Sequence, residues 1–373
     1  MTPSHNSQEA QVAYTMSIFL CLTLTLTSGF LFGQPSNYWK LRENGLNEIR
    51  MGHYSQAETW IRLSLESARA NNGEYALALD YATLGDIYQA KQQFTQAEQA
   101  YRKAALMLPG QHEQIHARAI VMRNLGAILI AEGRFDGALV ALNEASKLTH
   151  KNEFKDLPLN AEILNSLGVV YFNQGQMRKA ETSFTEAARV SSVSNNTNDA
   201  LYVALTNLGS LYQRRRQYKK AEAAYKRSLE VTVTRAGDSH SNLSVILNKL
   251  GSLYTATGRH KEAKAQFERS LVILEKAGLS NERLTMQTLQ GLAKTYVDEH
   301  DEMRAEPLLA RAAEIAHRRI VQSPDTAEVI ELLEIYSKVL KDLQNPVEAE
   351  RVQEEARRMR ASMVFTVRVS EAR

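Results

Sequence analysis

The sequence predicts an all-α fold, a right-handed superhelical solenoid of antiparallel helix pairs. Three observations carry that expectation. A Leu-Gly pair recurs at a near-constant period, aromatic and alanine residues stand at fixed distances after each pair, and helix formers dominate a chain with 7 prolines in 373 residues. The repetition governs how the length is read, because a periodic array replaces the two or three globular domains that such a length otherwise suggests.

In chain order, the first element is apolar. From Val12 to Gly33 the sequence carries no charged residue, and it holds the single cysteine, Cys21. Residues 1–33 read either as a secretory signal, with Thr27 and Gly29 as small residues before a cleavage point, or as an uncleaved membrane anchor. No Lys or Arg precedes the segment, whereas Lys40, Arg42 and Arg50 follow it. That asymmetry would keep an anchored array in the cytoplasm, so export and anchoring pull in opposite directions. A buried first helix is the third reading. The expected location is therefore exported, periplasmic or extracellular, or membrane-anchored through residues 12–33. The rest of the chain has no disulfide, no cysteine metal site and no thiol nucleophile.

The array is expected over residues 37–360, as about eight helix pairs. Leu41, Gly45, Gly52, Tyr54 and Ala57 form a degenerate first unit, with Asn44 where leucine belongs. Six clear units follow. Five carry Leu84-Gly85, Leu125-Gly126, Leu167-Gly168, Leu208-Gly209 and Leu250-Gly251, their leucines 41 or 42 residues apart, and the sixth carries Leu292-Ala293. Three residues after the small position stands Tyr88, Leu129, Tyr171, Tyr212, Tyr254 or Tyr296. Twelve after it comes Ala97, Ala138, Ala180, Ala221, Ala263 or Ala305, and four later a bulky Tyr101, Leu142, Phe184, Tyr225, Phe267 or Leu309.

Helix packing explains the pattern. Tyr81, Leu84 and Tyr88 share one face of a first helix; Ala97, Tyr101, Ala104 and Leu108 share one face of a second. Turns such as Glu132-Gly133-Arg134 and Thr257-Gly258-Arg259 join them. A glycine inside a helix costs about 1 kcal/mol relative to alanine. Its recurrence therefore implies close approach, with Gly on the first helix and Ala on the second letting the pair cross tightly. A degenerate last unit, Leu333, Tyr336, Ser337, Leu340 and Ala349, lies 44 residues beyond its neighbour. Atypical ends are expected, since they close an otherwise open apolar face. Residues 361–373, containing the β-branched run Met363 to Val369, are expected to be β-like or disordered.

This pattern resembles the tetratricopeptide repeat, with its large-Leu-Gly-Tyr first helix and Ala-Phe-Ala second helix. Pro109 closes the second unit as that family does. The period near 42, and the stretch Gly237-Asp238-Ser239-His240 leading to Leu247-Asn248-Lys249-Leu250, are similar to the longer variety found in kinesin light chains. The resemblance implies a protein-binding solenoid and says little about the partner.

One motif points to catalysis. His112-Glu113-Gln114-Ile115-His116 matches HExxH, in which two histidines one turn apart hold zinc and the glutamate activates water. Glu132 or Glu144 is the candidate third ligand. A solvated start to the third unit's first helix is the competing reading and the favoured one, so no metal and no cofactor are expected. A zinc-dependent hydrolase stays as the alternative function. No phosphate-binding glycine loop and no Ser-His-Asp arrangement appear. The net charge of +3 gives no argument for nucleic acid. Arg214, Arg215, Arg216, Lys219 and Lys220 read as a solvated helix end. No small-molecule substrate is evident.

The expected function is a non-catalytic scaffold that binds a peptide or protein segment in the concave groove lined by first helices. Side chains flanking the Leu-Gly seam face that groove: Arg123, Asn124, Asn165, Asn207, Gln213, Asn248, Lys249, Gln290 and Lys294. The family resemblance implies that asparagines there hold a peptide backbone, and it reaches Asn124, Asn165, Asn207 and Asn248. An amide both donates and accepts, which suits an extended peptide. Hydrogen bonds between the helices themselves are the other reading of these amides. A structural module in a membrane-associated assembly is the remaining functional alternative.

Overall fold

The computed structural model describes residues 36–70, 73–108, 114–150, 157–193, 200–237, 242–276, 282–320 and 326–371. Among them are sixteen α-helices and no strand. The apolar segment 12–33, together with His112 and Glu113, lies outside the described residues. The helices are α1 (Ser36–Arg50), α2 (Tyr54–Ala70), α3 (Glu74–Ala90), α4 (Phe94–Met107), α5 (Ile115–Ala131), α6 (Phe135–His150), α7 (Leu157–Asn173) and α8 (Met177–Val193). They continue as α9 (Ala200–Arg214), α10 (Tyr218–Ala236), α11 (Asn242–Ala256), α12 (His260–Lys276), α13 (Glu282–Asp298), α14 (Glu302–Ile320), α15 (Thr326–Asp342) and α16 (Pro346–Glu371). The chain divides into two compact units, Met1–Leu211 and Tyr212–Arg373. Each is a stack of antiparallel helix pairs.

One turn geometry is used in both units. Three residues separate the two helices of every pair. The middle residue has positive φ: Gly52, Gln92, Gly133, Gly175, Arg216, Gly258, His300 and Gln344. The next backbone N–H reaches back to the carbonyl five residues earlier, as from Arg134 to Leu129 and from Arg259 to Tyr254, both at 2.8 Å. This is the Schellman closure of a helix, and it stops the first helix at the same register in each pair. The acceptor is the recurring tyrosine position, so part of the tyrosine's fixed spacing reflects its place in the turn. In the Thr257-Gly258-Arg259 turn, the Arg259 guanidinium lies 4.2 Å from the Tyr254 ring centroid.

The second helices bury a small–large–small stripe. Ala97, Tyr101 and Ala104 are fully buried, as are Ala138, Leu142 and Ala145, and Ala305, Leu309 and Ala312. Gly85, Gly126, Gly168 and Gly251 receive the large residue of this stripe, the close approach that a recurring glycine implies. A Cβ on Gly85 would stand 2.5 Å from the Tyr101 ring, one on Gly168 2.5 Å from Phe184, and one on Gly126 2.7 Å from Leu142. In the second unit the Phe267 ring is held between Gly251 and Gly291, at 2.7 and 2.5 Å from their would-be Cβ atoms. The glycine is thus a socket for a bulky knob, and the flanking alanines let the helices close around it.

The ends differ from expectation in one respect. The segment expected to be β-like or disordered continues α16 as helix through Glu371. Local helix propagation from Pro346 prevails over the β-branched composition of the tail. At the other end Asn44 replaces leucine, yet Gly45 still receives Ile61.

Candidate functional site

In the first unit, polar side chains link one first helix to the next. Arg42 Nη1 on α1 meets Asp80 Oδ1 on α3 at 2.6 Å, with Ser64 Oγ donating to Asp80 Oδ2 at 2.8 Å. Asp80 is wholly buried and Arg42 nearly so. Burial pushes the Asp80 carboxyl up to about 6, against the lowering effect of Arg42, and burial beside Asp80 pushes the Tyr38 hydroxyl pKa well up. On the other side of α3, Asp86 accepts from Tyr101 Oη at 2.7 Å and from Asn124 Nδ2 on α5 at 3.0 Å. Burial raises the Asp86 pKa to about 6, against the lowering effect of these donors. Arg123 on α5 pairs with Glu162 on α7 at 3.0 Å. Asn207 Nδ2 on α9 donates to Asn165 Oδ1 on α7 at 2.8 Å.

The second unit continues the theme with uncharged groups. Asn248 Nδ2 on α11 donates to Thr288 Oγ1 on α13 at 2.8 Å, and the hydroxyls of Thr255 and Thr295 lie 2.8 Å apart. Gln213 accepts from Tyr225 Oη at 3.0 Å. Lys249 and Gln290 are half-buried, and Lys294 is exposed.

The sequence-expected residues therefore stand on first helices, and the asparagines make the helix-to-helix hydrogen bonds that were one of their two readings. Arg123, Asn124, Asn165 and Asn207 are all under 9% exposed. Two of the sequence-expected residues nonetheless hold an amide oxygen that accepts no hydrogen bond among the described residues, Asn124 Oδ1 and Asn248 Oδ1, as do Gln93, Gln114, Asn160 and Gln217 elsewhere.

A second set of contacts was missed at the sequence level. The residue after the recurring alanine is often glutamate, and it ties one pair to the turn of the next. Glu58 accepts from Tyr88 Oη at 3.0 Å and pairs with Lys91 at 2.9 Å. Glu98 pairs with Arg134 at 2.6 Å. Glu222 accepts from Tyr254 Oη at 3.1 Å and pairs with Arg259 at 2.7 Å, and the Arg259 guanidinium holds its carboxyl down at about 2. The signal was present as Ala-Glu at 57–58, 97–98, 180–181, 221–222 and 305–306.

The zinc reading finds no support in the described part. No group of three His, Cys, Asp or Glu residues there is placed to hold a metal. Both candidate third ligands are engaged by arginines, Glu144 by Arg118 at 2.7 Å and Glu132 by Arg134 at 3.0 Å. Among the described residues, no helix is long and apolar enough to cross a membrane.

The tetratricopeptide repeat family matches residues 117–192 and 200–276, and a second description of the same repeat matches residues 81–107. The matched stretches are tetratricopeptide repeats. Solved structures of the same fold include BtubC (BKLC) from P. vanneervenii, at 23% identity over 63% of this chain and 92% of that one, with a TM-score of 0.52. Yeast Tom70 matches at 16% identity over 97% of this chain and 72% of that one, with a TM-score of 0.59. Aspartyl phosphate phosphatase F from Bacillus subtilis matches at 12% identity over 96% and 95%, with a TM-score of 0.58. No curated protein matches. At these identities the solved structures show the fold alone, and their varied names agree with a fold that does not dictate its job.

Proposed function

We propose that this chain is a non-catalytic scaffold that holds an extended segment of a partner protein against the polar face of its first helices. The observation that carries the reading is Asn124. It is 5% exposed, it donates to Asp86, and its Oδ1 accepts nothing among the described residues. A buried amide oxygen without a donor costs about 1–3 kcal/mol. A peptide N–H docked along α5 removes that cost once the Asn124 amide turns its oxygen outward, and Asn248 Oδ1 is a second buried acceptor of this kind, in the second unit. Asn165 and Asn207 then act in two capacities, since an amide that makes one hydrogen bond keeps further donors and acceptors. Lys249 and Lys294 favour an acidic group on the bound segment. The longer repeat variety of kinesin light chains remains our reading of the period near 42.

The test begins with capture of a partner by the full chain and mapping of the bound segment. Replacing Asn124 by alanine then weakens that segment's binding about tenfold, the loss of one or two hydrogen bonds. An unchanged affinity in a variant with wild-type melting behaviour would remove the first-helix site.

Residues 12–33 we read as an export signal or an anchor. Sequencing the mature N-terminus distinguishes the two: a start near Phe30 indicates cleavage, and an intact segment in the membrane fraction indicates anchoring.

A further inference from the structure

The terminal pair of the second unit carries a site of different chemistry. Inside that unit, Leu309, Ala312, Ala313 and Ala316 on α14 are buried, and they share one apolar core with Val329, Leu332, Leu333 and Tyr336 on α15. These four positions of a second helix form the bed on which the next first helix lies. In the final pair, 44 residues on, the same positions on α16 are Gln353, Ala356, Arg357 and Arg360. The facing side of α15 contributes Glu334, Lys338 and Lys341, and a groove of about 350 Å³ runs along the seam between the two helices.

Polar residues at the end of an array are expected, because they keep the open face soluble. Solubility does not require one sign of charge. Here four cations, Lys338, Lys341, Arg357 and Arg360, line the groove with the single carboxylate of Glu334. Arg360 pairs with that carboxylate, and Lys341 donates to the neutral Gln353 Oε1 at 2.7 Å. Arg357 reaches Glu354 only at 3.9 Å, and Lys338 makes no ion pair among the described residues. Lys338 thus stands over the seam without an ion pair among the described residues and Arg357 with only a long one, in a groove built like those that receive a helix elsewhere in the unit.

We propose that the seam between α15 and α16 docks an acidic amphipathic α-helix of a partner protein, seated where a further first helix would lie. The groove between two packed helices accepts a third at the usual interaxial distance of about 8–10 Å. A stripe of glutamates at i and i+4 on that helix would meet Lys338 and Arg357 and supply the missing counter-charge. This site lies between the first and second helices of the last pair and shares no residue with the asparagine-lined site, so the two readings stand or fall independently.

The test uses the full chain and a fluorescein-labelled Ala/Leu helical peptide bearing a glutamate stripe, followed by anisotropy. The expected result is saturable binding that weakens with added salt and drops about tenfold or more in a Lys338→Glu, Arg357→Glu double variant. Both side chains are exposed, so the variant should melt with the wild type. Restored binding of a lysine-striped peptide by the double variant would add support. Absence of binding to the wild type, equal affinity in the double variant, or equal binding of the lysine-striped peptide by the wild type would overturn the proposal. Full competition by inorganic phosphate at matched ionic strength would overturn it too, by revealing a simple anion site.

Discussion

Asn207 Nδ2 donates to Asn165 Oδ1 at 2.8 Å, joining α9 to α7 across one repeat. Both side chains are more than nine-tenths buried. The pair is therefore part of what registers one repeat on the next, as well as part of the face offered to a partner. Removing one amide leaves the other unsatisfied and should cost about 1–3 kcal/mol. Asn165→Ala and Asn207→Ala together should cost less than the sum of the two single changes. Urea unfolding of the four proteins in the cycle measures this, and strict additivity would show that the bond carries no coupling.

The Phe267 socket gives a packing prediction. Alanine gains about 1 kcal/mol of helix propensity over glycine, whereas overpacking a full core costs about 1–3 kcal/mol. Gly291→Ala places a methyl 2.5 Å from the Phe267 ring, so overpacking should win and the denaturation midpoint should fall. Adding Phe267→Leu, which puts at this position the residue type of Leu142 and Leu309, should recover part of the loss. A Gly291→Ala protein as stable as the wild type would contradict the socket.

The turns give a prediction of opposite sign at equivalent positions. Arg216 adopts φ of 56° where Gly258 adopts 73°. A left-handed residue with a Cβ costs about 1–2 kcal/mol. Arg216→Gly should therefore stabilise the chain by about 1 kcal/mol, with the extra chain entropy of glycine taking back part of the gain. Gly258→Ala should destabilise it by a similar amount. Thermal melts of the two variants check the pair of signs.

Glu222 supplies the pH dependence. Its bonds from Arg259 and Lys226 lower its folded pKa from 4.5 to about 2. The stabilisation is fully present above the unfolded value and disappears as pH falls through the folded one. The gap between wild type and Glu222→Gln should thus be roughly 1 kcal/mol at neutral pH, after allowance for solvent screening. It should shrink between pH 4.5 and 2. A gap that is constant across this range would assign the effect to packing.

The helix pairs were legible because their signals are local and repeated six times. Leu-Gly, the tyrosine and the alanine each occupy a fixed place in a turn or a seam, so periodicity alone locates them. Which second-helix side chain meets each glycine was not legible, because the meeting of Gly85 with Tyr101 rests on the rotation of one helix against the other. The candidate site was half legible. Helical geometry put Asn124, Asn165 and Asn207 on the first helices, but burial and the choice of partner depend on how closely consecutive repeats approach. Asp86 and Glu222 were missed for the same reason: each takes its meaning from a residue about 37 or 38 positions away. The tail misled because Met363 to Val369 carries strand-forming composition while being continuous with an established helix.

The central claim is that a partner lies along the first helices. Photo-crosslinking reads this directly. A photoreactive residue at Ala82 or Asn173, on α3 and α7, should capture the partner segment. The same residue at Leu106 or Val140, which are 83% and 70% exposed on second helices, should not. Crosslinks confined to Leu106 and Val140 would contradict the account.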